Sequence, residues 1–394
     1  MAKILLITFP AEGHVNPMLG IIKAWADRGD EVHAVTTVHY EERIKRLGAH
    51  VHIHPDYIRT LHVEEGDLDS MQPFFHAMLQ TSYDILEVVE TLSEKHSFDL
   101  VYFDMFGAGE LVRDYLHIPS IGSNPSFVLQ EVHFDTPLYR KDEKADHLLE
   151  KIQERFGVQP TRLMQFMKNR GELNIVYTSE YFQPSVDSLN DSFVFIGPSF
   201  LKRADHHDFP LEALEQEKVV FISMGTVLGD TEAFFNMCID AFADFDGKVI
   251  LATGEKVDRS LLKEAPAHFL IEPYVPQLEV LELTDVFVTH GGMNSVNEGI
   301  HYHVPMVVIP VDKDQPMVAQ RLTELSAACA LDKDQLTVEQ LRETVETVLG
   351  SDMYRAGIEK IEESFQATGG TEKALRVIDQ FIQADRLNHE SVFL

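Results

Sequence analysis

The chain has 394 residues, 44% of them hydrophobic, which exceeds what one ordinary core needs and suffices for two domains. Its 33 basic and 64 acidic residues leave a formal net charge of −31, so we expect no binding to nucleic acid or to anionic membrane surfaces. Two cysteines without CxxC or zinc-type spacing, together with an N-terminal apolar run too short for a membrane span or export signal, predict a cytoplasmic protein.

The N-terminal segment predicts a strand, a loop, a helix and a second strand in immediate succession. An apolar strand at residues 3–9 is followed by a loop that ends at Asn16. Residues 17–28 have helical apolar spacing, with Asn16 as the cap and a proline at the first helical position. A strand at 31–37 comes next, so a crossover helix joins two neighbouring parallel strands.

The same plan recurs in the second half of the chain, where strands at 218–224 and 248–253 flank a helix at 232–245. The fold class is therefore α/β, with two doubly wound domains. Ligands of such sheets bind beyond the carboxyl ends of the strands, which predicts a site between the domains. The predicted segments are a first domain at 1–200, a linker at 201–216, a second domain at 217–372 and a helix at 373–394 that crosses back to the first domain.

A glycine pair at the end of a strand is the most informative local feature. His290 closes the apolar run that begins at Val286, and a helix begins after two glycines, so free amides and the positive end of the helix dipole would face a ligand. This arrangement predicts an anion site that needs no basic cluster. An alternative stays open, since Ser295 and Glu298 have the spacing of a capping box that merely starts a helix.

A histidine in the first loop, His14, is a candidate base, because an imidazole can remove the proton of an acceptor hydroxyl as that hydroxyl attacks. Asp104, at the end of the strand 100–104, is the candidate carboxylate that orients it. Each residue also has a simpler interpretation, a surface or helix-entry histidine and a turn-forming aspartate.

The segment from Tyr274 to Gln315 resembles the UDP-glycosyltransferase superfamily, and within it the bacterial macrolide and small-molecule glycosyltransferases. The motifs that carry the resemblance stand in the family's order and are Pro276-Gln277, His290-Gly-Gly, Asn294-Ser295, Glu298, Pro305 and Asp314-Gln315. The resemblance covers nearly the whole chain and implies the GT-B fold, in which two Rossmann-like domains face each other across a cleft. It also implies that His14 is the catalytic base and Asp104 its partner.

The resemblance also implies which residues bind the donor nucleotide. Tyr274, where plant members carry tryptophan, would stack on uracil, and Val275 would offer backbone groups to the base. Glu298 would accept hydrogen bonds from the ribose hydroxyls.

The rest of the donor would follow the same pattern, with His290 at the diphosphate and with Asp314 and Gln315 at the sugar hydroxyls. The full predicted donor-binding set is Thr226, Tyr274, Val275, Gln277, His290, Gly292, Asn294, Ser295, Glu298, Asp314 and Gln315.

Two patterns suggest a metal ion without requiring one. The Asp312-Lys-Asp314 triplet resembles the DxD of another glycosyltransferase class, but it lies inside the donor signature. His50, His52 and His54 alternate along a strand, which is compatible with metal ligands and favours a solvated strand face. We therefore expect no metal and no cofactor, with the UDP-sugar acting as co-substrate.

The predicted function is inverting transfer of a hexose, glucose in the first instance, from a UDP-sugar to a hydroxyl of a small apolar acceptor such as a macrolide, a flavonoid or another phenol. The predicted partners are this donor and this acceptor, and we expect a monomer. Two alternatives stay open: a nucleotide-sugar epimerase or hydrolase on the same fold, and a non-catalytic UDP-sugar-binding protein.

Overall fold

The structure, a computed structural model, describes residues 1–59, 61, 72–128, 143–158, 166, 168–201, 209–225, 231–255 and 257–392. The chain divides into two compact units. The first consists of Met1–Leu201 and Thr368–Leu394, and the second of Lys202–Ala367. Most of the segment predicted as a linker therefore belongs to the second unit, and its residues 202–208 lie outside the described part of the chain.

The first unit is built on a parallel sheet of seven strands. These are β1 (Lys3–Ile7), β2 (Glu31–Thr36), β3 (His50–Ile53), β4 (Leu100–Asp104), β5 (Ser120–Asn124), β6 (Leu173–Val176) and β7 (Phe193–Phe195). The helices that precede the second unit are α1 (Glu12–Arg28), α2 (Val38–Lys45), α3 (Gln72–Ser93), α4 (Gly109–Leu116) and α5 (Glu143–Phe156). The strand order is β3-β2-β1-β4-β5-β6-β7.

Alternation along β1 divides the core of the first unit into two layers. Ile4 and Leu6 point into the layer that contains Trp25 of α1. Leu5 and Ile7 point into the opposite layer, where they pack with residues of α3, α4 and α5. Both faces of the sheet are therefore covered by helices, as a parallel sheet requires.

The first helix begins earlier than the sequence predicted. The amides of His14 and Val15 both donate to Ala11 O at 3.0 Å, so the helix begins at Glu12 and Asn16 is not its cap. Pro17 lies inside the helix and removes one ladder hydrogen bond, but its side chain is buried with Val15 in the core. Burial of Pro17 in the tertiary structure outweighs the preference of proline for the first position of a helix. His14 consequently lies in the first helical turn rather than in a loop.

The second unit repeats the arrangement with a six-stranded parallel sheet. Its strands are β8 (Val219–Ser223), β9 (Lys248–Ala252), β10 (Phe269–Glu272), β11 (Val286–Thr289), β12 (Met306–Val308) and β13 (Ala328–Ala330), in the order β10-β9-β8-β11-β12-β13. Its helices are α6 (Thr231–Ala241), α7 (Gln277–Leu281), α8 (Met293–His301), α9 (Gln315–Glu324), α10 (Val338–Leu349) and α11 (Asp352–Thr368). Both sheets have the doubly wound strand order, which confirms the predicted α/β class with two Rossmann-like domains.

The last helix, α12 (Gly370–Val392), is part of the first unit. Its buried residues Ala374, Ile378 and Ile382 pack in the same layer as Trp25 of α1. Lys373 Nζ also donates to Phe195 O at 2.9 Å, so the helix is attached to the end of β7 as well. Among the helices that the structure describes, none is long and apolar enough to cross a membrane.

Candidate active site

Each sheet has one point at which the strand order reverses, and ligands of doubly wound folds bind beyond the carboxyl ends of the strands at that point. In the first unit it lies between β1 and β4, and in the second between β8 and β11. The predicted residues fall at both points. His14 follows β1 and Asp104 ends β4, while His290 follows β11.

His14 and Asp104 form a hydrogen-bonded pair across the first reversal point. The distance from His14 Nδ1 to Asp104 Oδ1 is 2.8 Å. A carboxylate can only accept a hydrogen bond, so Nδ1 carries the proton, and in the neutral form of the ring Nε2 has the lone pair. The His14 side chain is 19% exposed and that of Asp104 fully buried, so the imidazole is accessible while its partner is held in the protein. This is the geometry of a general base with an orienting carboxylate.

The carboxylate of Asp104 is fixed by the turn that follows β4. The amide of Phe106 donates to Asp104 Oδ1 at 2.8 Å. Asn169, which is buried, holds the same turn, because its side chain donates to Gly107 O at 2.8 Å and its amide to Met105 O at 2.7 Å. Asn169 could not be identified from the sequence, since it is distant in the chain and belongs to no motif.

Two phenylalanines also flank the imidazole and were missed from the sequence. The ring centroids of Phe9 and Phe106 lie 5.0 and 4.8 Å from that of His14. Each phenylalanine stands two positions beyond the end of a strand at the reversal point, β1 for Phe9 and β4 for Phe106. That shared spacing is the signal that could have identified them. The Phe9 ring meets the imidazole edge-on and the Phe106 ring is tilted against it, so both place apolar surface beside the imidazole.

His290 occupies the corresponding place in the second unit. It is 8% exposed, and its ring packs against the backbone of two glycines. A Cβ atom added at Gly225 would lie 2.8 Å from the ring and one added at Gly292 only 2.5 Å, so neither position has room for a side chain. It hydrogen-bonds to the backbone of Ser223, and its Nδ1 is buried without a hydrogen-bond partner among the described residues. A buried ring nitrogen left in this way is available to a ligand.

Burial lowers the pKa of His290 to about 4. The carboxylate of Asp314 opposes this shift and the ammonium of Lys313 adds to it. His290 is therefore neutral near pH 7 and would contribute no positive charge to a bound diphosphate.

Helix α8 begins directly beyond His290 and Gly291, where the backbone of Gly291 adopts the left-handed conformation (φ 84°). Gly292 is the N-cap, no side chain caps the helix, and the first ladder bond runs from Val296 N to Gly292 O at 3.0 Å. Ser295 is the third residue of this helix and not its cap. The alternative of a capping box from Ser295 to Glu298 is therefore wrong.

Glu298 and Gln277 are brought together at the start of α7. Gln277 Nε2 donates to Glu298 Oε2, and the Glu298 side chain is buried. Tyr274 precedes this pair with 51% of its surface exposed, and Val275 is half-buried. The predicted nucleotide-binding residues thus lie at the carboxyl ends of β10 and β11, and the ring of Tyr274 is free to stack.

The loop between β12 and α9 uses the amide of Gln315 for its own structure. Gln315 Oε1 accepts from the amides of Val311 at 2.8 Å and Asp312 at 3.2 Å, and Nε2 donates to Asp312 Oδ1 at 3.1 Å. Gln315 is 2% exposed, whereas Asp314 is half-buried. Of the two residues predicted to contact the sugar, Asp314 has the more accessible side chain, and Gln315 shapes the loop that carries it.

Lys313, between the two aspartates of this loop, has a left-handed backbone (φ 59°), which is uncommon for a lysine. Asn294 and Ser295 are half-buried in the first turn of α8. Thr226 lies outside the described residues.

Comparison with known proteins agrees with this geometry. The model of the family described as UDP-glucoronosyl and UDP-glucosyl transferase matches residues 149–365. The protein named uncharacterized UDP-glucosyltransferase YdhE, from Bacillus subtilis strain 168, is 53% identical over 97% of this chain and 99% of its own. The chain belongs to the UDP-glycosyltransferase family. It is of the bacterial type, and it is an enzyme that transfers a glycosyl group from a nucleotide sugar.

More distant relatives and solved structures extend the comparison. The demethyllactenocin mycarosyltransferase of Streptomyces fradiae is 28% identical over 96% of this chain and 86% of its own. The crystal structure of the kitacinnamycin glycosyltransferase has a TM-score of 0.82 at 26% identity and covers 96% of this chain and 98% of its own. The GT-B type of fold implied by the resemblance is confirmed.

Proposed function

We propose that the enzyme transfers a hexose, glucose in the first instance, from a UDP-sugar to a hydroxyl of a small apolar acceptor, with inversion at the anomeric carbon and without a metal. The observation that carries this proposal is the His14–Asp104 pair, with its 2.8 Å hydrogen bond beyond the carboxyl ends of β1 and β4. Binding a nucleotide sugar requires no base, whereas activating an acceptor hydroxyl does.

The reaction is a single displacement. His14 Nε2 removes the proton of the acceptor hydroxyl, and the oxygen attacks the anomeric carbon on the face opposite UDP. The bond from that carbon to the β-phosphate oxygen breaks, and UDP leaves with the electron pair. Asp104 stabilises the imidazolium that forms on His14.

The first turn of α8 supports departure of UDP without a metal. The amides of Met293 to Ser295 precede the first ladder bond of the helix, and the helix dipole adds partial positive charge there. These groups stabilise the charge that develops on the leaving diphosphate.

The nature of both substrates is supported by the relatives. The name of the B. subtilis protein, at 53% identity, supports UDP-glucose as the donor. The name of the S. fradiae enzyme supports a small natural product as the acceptor. Phe9 and Phe106, beside the base, present apolar surface of the kind that a macrolide or a phenol contacts.

The test is incubation with UDP-glucose and a panel of macrolide, flavonoid and simple phenolic acceptors, followed by mass spectrometry. A product heavier by one hexose is expected, and the coupling constant of its anomeric proton reports whether the configuration is inverted. A reaction without acceptor is the control. Release of free glucose at the same rate without acceptor would identify a hydrolase and overturn the proposal.

A further inference from the structure

Four histidines come together at the amino ends of β1, β2 and β3, and the reaction uses none of them. His33 of β2 is 3% exposed and is paired in register with His50 of β3. Its ring centroid lies 5.0 Å from that of His50, 5.2 Å from that of His52 and 4.4 Å from that of His96. Apolar side chains would fill this volume without the cost of removing polar ring nitrogens from water, so the concentration of imidazoles calls for a chemical explanation.

The predicted solvated face at 50–54 is corrected by this arrangement. His50 is exposed, but His52 points to His33 and is half-buried. His54 is 2% exposed, and its Nδ1 hydrogen-bonds to Pro55 O at 2.8 Å. Alternation along one strand could not reveal that the neighbouring strand contributes a buried histidine and a carboxylate.

We propose that Glu31, His33 and His50 form a binding site for a divalent transition-metal ion of the zinc type. One ligand atom of each residue lies within 4.8 Å of the ligand atoms of the other two. Imidazole nitrogen and carboxylate oxygen are ligands that zinc prefers, and three protein ligands leave a fourth position for water.

The strands hold these ligands close to the required geometry. Glu31 and His33 are two positions apart on β2 and share a face, and His50 is beside His33 across the parallel ladder. Ligand atoms of a tetrahedral zinc site are about 3.3 Å apart when each bond is about 2.0–2.1 Å. His33 Nε2 and Glu31 Oε1 are 2.7 Å apart, so a small rotation of the glutamate side chain admits the ion.

His52 would orient the metal-binding imidazole. His33 Nδ1 lies 3.0 Å from His52 Nε2. When His33 binds the ion through Nε2, Nδ1 carries the proton and donates a hydrogen bond to His52 Nε2. Metal-binding histidines commonly have such a partner on the second nitrogen, which fixes the tautomer and the ring orientation.

Lys3 would oppose the ion. Its Nζ is 3.0 Å from Glu31 Oε2 and 3.3 Å from His96 Nδ1. The ammonium and the metal ion compete as counter-ions of one carboxylate and repel each other. Removing the lysine charge is therefore expected to strengthen metal binding. If Glu31 were only an ion-pair partner of Lys3 and bound no metal, this substitution would not change zinc affinity.

The site is remote from the reaction. Glu31 and His50 begin their strands, whereas His14 and Asp104 follow the carboxyl ends, about 15 Å away along five or six residues of strand. The ion would cross-link β2 to the edge strand β3 and thereby stabilise the first unit. Because the two sites are far apart, a structural metal site is compatible with catalysis that needs no metal.

The experiment measures zinc affinity of the full chain, free of any histidine tag, by competition with a chromophoric zinc indicator. His50→Ala is the main variant, because His50 is exposed and its loss leaves the core intact. His147→Ala removes an exposed histidine of the same unit and is the matched control. We expect zinc affinity to fall at least tenfold in His50→Ala, to stay within twofold in His147→Ala and to rise severalfold in Lys3→Met.

Thermal unfolding and activity supply two further readouts. Zinc should raise the unfolding temperature of the wild type and leave that of His50→Ala unchanged, while magnesium, which prefers oxygen ligands, should not compete. Glycosyl transfer should be the same in both proteins. Zinc affinity that His50→Ala leaves within a factor of two would overturn the proposal, whatever the transfer activity proves to be.

Discussion

His14 Nδ1 lies 2.8 Å from Asp104 Oδ1, across 90 residues of sequence. The carboxylate is fully buried and the imidazole is partly exposed, so the pair presents one basic nitrogen, His14 Nε2, beyond the carboxyl ends of two neighbouring strands. The rings of Phe9 and Phe106 pack beside the imidazole.

Replacing His14 by alanine should lower the transfer rate by about a hundredfold to ten-thousandfold, because the acceptor hydroxyl loses its base. UDP affinity should not change, since the residues assigned to UDP belong to the second unit. Transfer kinetics and calorimetric titration of UDP measure the two effects. His39→Ala is the control, as His39 is a partly exposed histidine of the same unit that pairs with Glu12 instead. Activity retained within a few-fold would exclude His14 as the base.

Asp104→Asn should preserve the fold and lower the transfer rate by up to about ten-thousandfold. The amide can donate to His14 Nδ1, which moves the imidazole proton to Nε2 and removes the lone pair that acts as the base. The dependence of kcat/KM on pH should change with it, because the carboxylate no longer stabilises the imidazolium. An effect confined to UDP affinity would show that Asp104 does not orient the base.

Glu298→Ala should weaken binding of UDP itself, since the buried carboxylate is assigned to the ribose hydroxyls and is oriented by Gln277. A hydrogen bond to a charged group contributes about 1.5–3 kcal/mol, so a loss of about tenfold to a hundredfold in affinity is expected. Calorimetric titration with UDP measures it, with Glu279→Ala on the exposed side of α7 as the control. Unchanged UDP affinity would show that Glu298 merely positions Gln277.

Asp314→Ala and Gln315→Ala should differ in kind. Asp314→Ala should lower transfer from UDP-glucose while UDP affinity and stability stay near wild type, because its carboxylate is assigned to sugar hydroxyls. Gln315→Ala removes the acceptor of two backbone amides and should also cost about 1–3 kcal/mol of unfolding free energy. Urea unfolding beside transfer kinetics separates the two. Equal stability of both variants would argue against the loop-shaping role of Gln315.

The free energy of unfolding at acid pH should depend on His290. Its pKa is lowered to about 4 by burial, against an ordinary value of 6.5. Between these values the unfolded chain binds a proton that the folded protein does not, so stability is lost as the pH falls from about 6.5 towards 4. The loss attributable to this residue is about 3 kcal/mol.

Urea unfolding of the wild type and of His290→Asn at a series of pH values measures this contribution. The variant should have a flatter acid limb, because asparagine does not titrate. Parallel curves for the two proteins would mean that His290 is protonated in the folded state as readily as in the unfolded chain.

The amino-acid pattern alone was enough to predict the doubly wound plan, because alternation of apolar strands and helical stripes is a local property of the chain. It also singled out His14, Asp104 and the glycine turn after His290, since glycine pairs and polar residues at strand ends are visible without knowing which strands are neighbours. The start of the first helix at Glu12 could not be predicted in this way, because burial of Pro17 outweighs the preference of proline for the first position of a helix.

The tertiary structure decided which of these residues meet. Sheet order and register bring Asp104 to His14 and His33 to His50, and no local pattern encodes the order of strands. It also turned the amide of Gln315 inward, to the backbone of its own loop, because two buried amide hydrogens there need an acceptor. Residue types and spacing thus predicted the candidate groups, and the packing of distant strands assigned their partners.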